Sequence, residues 1–485
     1  MLKRLASQTA TYGLTSILGR LIGNLLLPLQ TSRLSLRDFS ILSEVLAYAA
    51  VLAVIFPLGL ETALFRYSND DISKRKETEQ KIISLQILVA SFLLPLSWFW
   101  LANRLPDLNQ TDLVFIALTL AFDGVASIFL ARIRNENRST SFLVVRLGSI
   151  FFTIVLNLLF LSKISWLDAI NPVGINYRLI IYINFTASFL TFLLMPRTLS
   201  QFRFLFDKQL YAKVLKFSIP IVMISIVGVS NDIFGRIWLE NLTPKGFYGD
   251  LANKDLIGIY SGCAKVAIFI NLGIQAYRYA ADPFFFSIQD KKDTAKYLSQ
   301  SFTWFVAAGL LALVAIQCNI ELIVEIFLRK PEFKLGLNAI FLLLLANFFF
   351  GVYYNLSFWY KFSDKTYWGT MISVIGLSAN AVLNFILVPK YGMSGSAMAL
   401  LMCYLLMCLI SWYKSRTIFS VDWDYGKVFS MLIFALLLCF VSQKFQPETF
   451  VFKTVRGLFL PTLLFVLVIW LQRSFLFKKS KNAGV

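Results

Sequence analysis

The sequence predicts an all-α polytopic membrane protein. It is expected to hold about fourteen transmembrane helices, as two six-helix lobes related by a parallel pseudo-twofold repeat plus two C-terminal helices. Three observations predict this. The 485 residues are 58% hydrophobic and only 15% charged, with a mean hydropathy of +0.69; a soluble protein carries about a quarter charged residues. Apolar runs of about 20 residues, enough to cross the hydrocarbon core, recur along the whole chain. Basic residues gather in alternate connections between those runs, as the positive-inside rule requires.

In chain order the spans are predicted at 6–32, 38–65, 81–102, 111–131, 140–161, 177–195, 214–239, 256–287, 299–320, 336–360, 367–388, 394–413, 428–443 and 454–472. With the N-terminus cytoplasmic, roughly 27 basic groups fall on the cytoplasmic side and about 14 on the other. An even count of spans puts the C-terminus there too. Pro28, Pro57, Pro95 and Pro283 fall inside spans, where each removes a backbone donor and can bend its helix.

The first two spans form a hairpin that recurs once. Gly19-Arg20-Leu21 with Pro28 is echoed by Gly235-Arg236-Ile237 with Pro244. Phe39-Ser40-Ile41-Leu42-Ser43 is echoed by Ile257-Gly258-Ile259-Tyr260-Ser261, and the Leu58-Gly59…Arg66-Tyr67 ending by Leu272-Gly273…Arg278-Tyr279. Six spans precede the second hairpin, so both enter from the cytoplasmic side and the repeat is parallel. The expected domains are therefore 1–195 (N-lobe), 196–216 (basic cytoplasmic linker), 217–413 (C-lobe) and 414–485 (two further helices and a basic tail).

Charge inside apolar helices marks the candidate site, because an ionisable group at membrane depth costs about 2.5–3.5 kcal/mol or more and needs a cavity or a partner. Thr9, Gly13, Ser16, Arg20 and Asn24 share one face of the first helix. Arg146, Ser149, Thr153 and Asn157 do so on the fifth, and Asn271, Gln275, Arg278 and Asp282 on the eighth. The hydroxyls and amides serve equally well as inter-helix glue, and Asp232–Arg236 and Arg278–Asp282 as i,i+4 pairs. Arginine's rigid fork of donors suits phosphate and diphosphate. Arg20, Arg278, Arg66, Arg236 and Arg146, with Asn24, Asn271 and Gln275, are thus the candidate substrate-binding residues for an anionic substrate in a cationic cavity between the lobes. Asp123, Asp232, Glu61 and Glu44 are candidates to carry a coupling ion or to partner the arginines.

Other chemistries are poorly supplied. The chain has no histidine, which removes the commonest general base and metal ligand. Its five cysteines, Cys263, Cys318, Cys403, Cys408 and Cys439, offer no CxxC pair. The net charge of +19 follows from membrane topology rather than from nucleic-acid binding. No catalytic residue, metal or cofactor is expected; an H+ or Na+ gradient is the candidate energy source.

Three stretches carry a family resemblance. They are Leu5 to Tyr67, with Ala6-Ser7-Gln8-Thr9-Ala10-Thr11-Tyr12-Gly13 near its start; Gly258 to Phe286, including Gln275-Ala276-Tyr277-Arg278-Tyr279; and Asn384-Phe385-Ile386-Leu387-Val388-Pro389-Lys390-Tyr391-Gly392-Met393-Ser394-Gly395-Ser396. Through them the chain resembles the polysaccharide-biosynthesis family of lipid-linked oligosaccharide flippases, the O-antigen translocase type, in the superfamily of the multidrug (MATE) and lipid II exporters. The resemblance implies alternating access through a central cationic cavity. It implies an undecaprenyl-diphosphate-linked oligosaccharide as substrate, the bacterial inner membrane as location, and the polysaccharide polymerase machinery as a partner besides membrane lipids. Related sequences often carry Asp-Arg where this chain has Gly235-Arg236, so any role of that acid is absent here or passes to Asp232. The alternatives are a cation-coupled multidrug exporter, whose cavity should be rich in acids, and a membrane glycan polymerase or ligase, which should carry a large external loop.

Overall fold

The structure, a computed structural model, describes residues 23–68, 73–136, 138–161, 174–287, 293–363, 365–419, 421–445 and 449–481. Helix boundaries follow local chemistry. Ser35 caps α2 (Leu36–Ile55), its Oγ accepting from the Asp38 amide at 2.9 Å. Asp207 caps α9 (Lys208–Leu242) at 3.0 Å from the Leu210 amide. Asn176 caps α7 (Tyr177–Leu193) and Asp424 caps α16 (Tyr425–Lys444) in the same way.

The chain divides into two compact units, 1–261 and 262–485. The first holds α1 (Leu27–Arg33), α2, α3 (Leu60–Ser68), α4 (Arg75–Arg104), α5 (Gln110–Asn135), α6 (Ser139–Leu161), α7, α8 (Pro196–Ser200), α9 and the first turns of α10 (Asn253–Ser287). The second holds the rest of α10, α11 (Thr294–Cys318), α12 (Ile320–Phe327), a 3-10 turn, α13 (Leu337–Leu356), α14 (Phe358–Phe362), α15 (Tyr367–Ile418), α16 and α17 (Phe450–Lys481).

Eleven helices among the described residues are long and apolar enough to cross a membrane, and α7 is a shorter apolar helix. One of the eleven, α15, is 52 residues long and contains two spans, since Gly392 breaks it with φ 54° and ψ −130°. The spans expected at 367–388 and 394–413 lie on either side. The first expected span falls mostly outside the described residues.

Pro57 breaks the second expected span as its missing donor predicts. The chain leaves α2 through Leu58 and Gly59, both at positive φ, before α3 begins. A Cβ on Gly59 would come within 3.3 Å of the Ser218 carbonyl oxygen of α9, so glycine serves both the turn and the packing there. Pro95, by contrast, sits within an unbroken α4.

Two devices shape the first unit. The echoed motifs meet: a Cβ on Gly258 would collide with Ser40, whose Oγ bonds to the Asp255 carbonyl at 3.1 Å. After α8 the chain runs without helix or strand, and α4 supplies its missing hydrogen bonds. Gln80 receives the Arg203 amide at 3.0 Å and donates to the Gln201 carbonyl at 2.8 Å, and Ser84 receives the Leu205 amide at 2.9 Å. Phe202 packs into the core of Leu60, Leu64, Ile82, Phe129 and Val214, while Phe204 and Phe206 stay exposed.

Candidate functional site

Arg66 and Arg278 end the matching halves of the sequence repeat, and each rests on an aromatic ring. The Arg66 guanidinium lies 4.5 Å from the Phe217 ring centroid, joining α3 to α9. The Arg278 guanidinium lies 4.6 Å from the Tyr354 centroid, joining α10 to α13. Both side chains are exposed, and neither forms an ion pair among the described residues. Ring faces hold these cations weakly, and a forked guanidinium keeps donors beyond those a ring engages.

Arg236 is half-buried in α9, with its Nε buried and lacking a hydrogen-bond partner among the described residues. Arg146 on α6 lies 5.8 Å from the Phe142 ring centroid. Asp123 on α5 is within electrostatic reach of Arg146 and has Ser188 of α7 beside its carboxyl. The structure thus brings an acid, a base and a hydroxyl together from three helices. Glu61 pairs with Arg134 at 3.8 Å, both half-exposed. Arg20 and the side chain of Asp232 lie outside the described residues.

The polar stripes make both intrahelical and inter-helix bonds. Thr153 and Asn157 bond to carbonyls one turn back, and Asn157 also accepts from Gln30 of α1 at 3.4 Å. Asn271 donates to Asn347 of α13 at 2.7 Å. Asn24 is buried and Gln275 half-buried. The suggested Arg278–Asp282 pair does not form. Asp282 instead accepts from the Tyr354 hydroxyl and pairs with Lys361 at 3.6 Å.

Two charge networks, one buried and one partly exposed, were not anticipated. At the end of the first unit expected to be cytoplasmic, Glu79 is 1% exposed and meets Arg75 at 3.3 Å, Arg132 at 3.4 Å and Asn135 at 2.8 Å. At the opposite end Glu44 pairs with Lys254 at 3.3 Å, and Lys254 also donates to Asp107 at 2.6 Å. Glu44 is therefore a structural partner in this conformation. The Lys254 hydrogen bond holds the Asp107 carboxyl below the usual carboxylate range. Glu79 and Arg132 lie just outside the predicted spans 81–102 and 111–131, among basic loop residues. The i,i+4 spacing of Arg75–Glu79 and Arg132–Glu136 was the cue available.

The described residues hold no group of acids and cysteines able to bind a metal ion. The second unit holds an apolar recess of about 580 Å³ lined by Phe302, Phe348, Leu409, Trp412, Trp423 and Phe429. It carries no charge and suits hydrocarbon rather than an anion.

The fold is that of known exporters. A lipid II flippase MurJ structure, in an inward closed conformation, matches with a TM-score of 0.71 at 16% identity, over 96% of this chain and 99% of that one. An inward-facing MATE-family multidrug resistance transporter of the MOP superfamily matches at 0.65 and 11%, over 82% of this chain and 94% of that one. The MATE multidrug transporter DinF-BH matches at 0.58 and 17%, over 86% and 96%. At these identities the likeness shows the fold. No protein-family model matches the sequence, and the search of curated proteins returns no match. The fold expected from the sequence is thus present, and its solved neighbours named here are transporters rather than enzymes.

Proposed function

We propose that the chain is a flippase that moves a lipid-diphosphate-linked oligosaccharide, such as an O-antigen or other polysaccharide repeat unit on undecaprenyl diphosphate, across the bacterial inner membrane by alternating access. Both termini are cytoplasmic in this reading. The observation that carries it is the pair of exposed arginines, Arg66 and Arg278, each resting on an aromatic ring and neither forming an ion pair among the described residues. Such cations are expensive in a membrane and are expected to serve a ligand. Their forked donors fit phosphoryl oxygens. Arg20, Arg236 and Arg146, with Asn24 and Gln275, extend the proposed site, and Asn271 supports it through Asn347. The flippase MurJ, a lipid II flippase, supports the substrate class by fold alone.

A cation-coupled multidrug exporter is the second reading, favoured by the likeness to the MATE structures. Asp123 beside Arg146 is the candidate coupling acid in either reading, with Asp232 and Glu61 behind it. Deletion of the gene followed by mass analysis of lipid-linked saccharides tests the proposal. Accumulation of a diphosphate-linked repeat unit is expected. An unchanged saccharide pool with increased sensitivity to cationic drugs would favour the second reading.

A further inference from the structure

The second unit contains a cation pair that the polar-stripe pattern does not reveal. Arg278 lies 4.6 Å and Lys361 4.1 Å from the centroid of the same Tyr354 ring. Lys361 also lies 4.6 Å from the Phe358 ring. The platform is fixed. Tyr354 packs edge-on to Tyr277 and Phe358, and Tyr277 is held by Asn355 at 2.6 Å and Ser301 at 2.9 Å. Among the described residues, one carboxylate faces these two cations. Asp282, one helical turn beyond Arg278, accepts a hydrogen bond from the Tyr354 hydroxyl and stands 3.6 Å from the Lys361 ammonium. That last distance is an ion pair rather than a well-made hydrogen bond. Counting the described residues, the group therefore keeps one unit of uncompensated positive charge, with an exposed guanidinium at its edge.

We infer that Arg278, Lys361 and Tyr354 form a diphosphate site in which Asp282 stands in for the absent anion. This rests on the proposed function and adds to it two residues and a competitor. A ligand with two adjacent phosphoryl groups offers one to the guanidinium fork and one to the ammonium. It displaces Asp282 from Lys361 and leaves that carboxylate on the tyrosine hydroxyl. The competition favours release: the internal carboxylate takes back Lys361 as the ligand leaves. Lys361 at the end of α14 reads in sequence as a positive-inside residue. Only the packing of α10 against α13 and α14 brings it to Arg278.

Binding of inorganic pyrophosphate and of inorganic phosphate to the purified full-length protein, measured by calorimetry, tests the inference. The wild-type protein is expected to prefer pyrophosphate. Asp282→Asn removes the competitor and should tighten pyrophosphate binding roughly tenfold, the scale of one charge-assisted hydrogen bond. Lys361→Met should weaken it by a similar factor, and in that background Asp282→Asn should have a much smaller effect, because the two residues are coupled. Where Asp282→Asn does not fold, Lys361→Met decides alone, since it removes a half-buried cation and leaves Asp282 its tyrosine. Pyrophosphate binding that requires Arg278 yet is unchanged by Lys361→Met and Asp282→Asn overturns the inference and leaves the proposed function standing. Absence of pyrophosphate binding in the wild type and in Asp282→Asn overturns both.

Discussion

Arg66 and Arg278 illustrate how much one residue type decides. A cation over a ring gains about 0.5–2 kcal/mol, and a charge-assisted bond to phosphate about 1.5–3 kcal/mol. The rings therefore hold the arginines in place without competing with a phosphate. Arg→Lys at either position keeps the charge and loses the fork, and is predicted to lower transport severalfold. Arg→Ala should lower it by about tenfold or more. Complementation of a flippase-null strain, normalised to folded protein in the membrane, checks this; activity and folded protein falling together would mark a structural role. The arginines were legible in the sequence because charge stands out in apolar runs. Their rings were not, since Phe217 and Tyr354 are distant in sequence and aromatic residues are common in such a chain. Asp107 makes a separate residue-level prediction. Its native-state pKa is lowered by Lys254, so its stabilisation is present above the unfolded value near about 4 and lost as pH falls through the lowered native value. Asp107→Asn should cost at most about 1 kcal/mol at pH 7, because the pair is partly exposed. Thermal melts should show that difference disappear in acid; a difference that grows in acid contradicts the assignment.

At the scale of elements, hydropathy located the helices and Pro57 marked one break, whereas Pro95 marked none and the break at Gly392 was not singled out. Gly392 turns the chain within the motif that carried the family resemblance, and a Cβ on Gly395 would collide with the Leu387 backbone. Both residues are fold devices rather than ligand groups. The sequence could not show how helix ends are tied together. Glu79 joins α4 to α5, and Asn135 passes that link to Ser68 at the end of α3 at 2.8 Å, two residues beyond Arg66. Removing Glu79 leaves Arg132, 6% exposed, with Glu136 as its remaining acid. Glu79→Ala is predicted to destabilise the protein by about 3–5 kcal/mol, and Glu79→Met with Arg132→Met to recover much of it, because apolar pairs of similar volume often replace buried ion pairs. Thermal unfolding in detergent checks both, and an unchanged melting temperature in Glu79→Ala would show that the network contributes nothing to stability.

For the whole molecule, the all-helical class and the order of spans were legible because the bilayer fixes helix length; the positive-inside rule sets the expected orientation. A cysteine at Ser73 is predicted to be labelled only from the cytoplasm and one at Gly249 only from outside, using membrane-impermeant reagents on cells and inverted vesicles. Labelling of Gly249 from the cytoplasm would reverse the assignment. Substrate identity was less legible, because the likeness to the solved structures shows the fold and not the ligand. The flippase reading makes the cationic side chains the decisive ones. The most direct measurement is translocation of a fluorescent diphosphate-linked saccharide lipid in proteoliposomes, compared for the wild type and Arg278→Glu, with efflux of a cationic dye recorded alongside. The account predicts translocation by the wild type, none by Arg278→Glu at equal reconstitution, and no dye efflux by either. Full translocation by Arg278→Glu, or dye efflux by the wild type without lipid translocation, would contradict it.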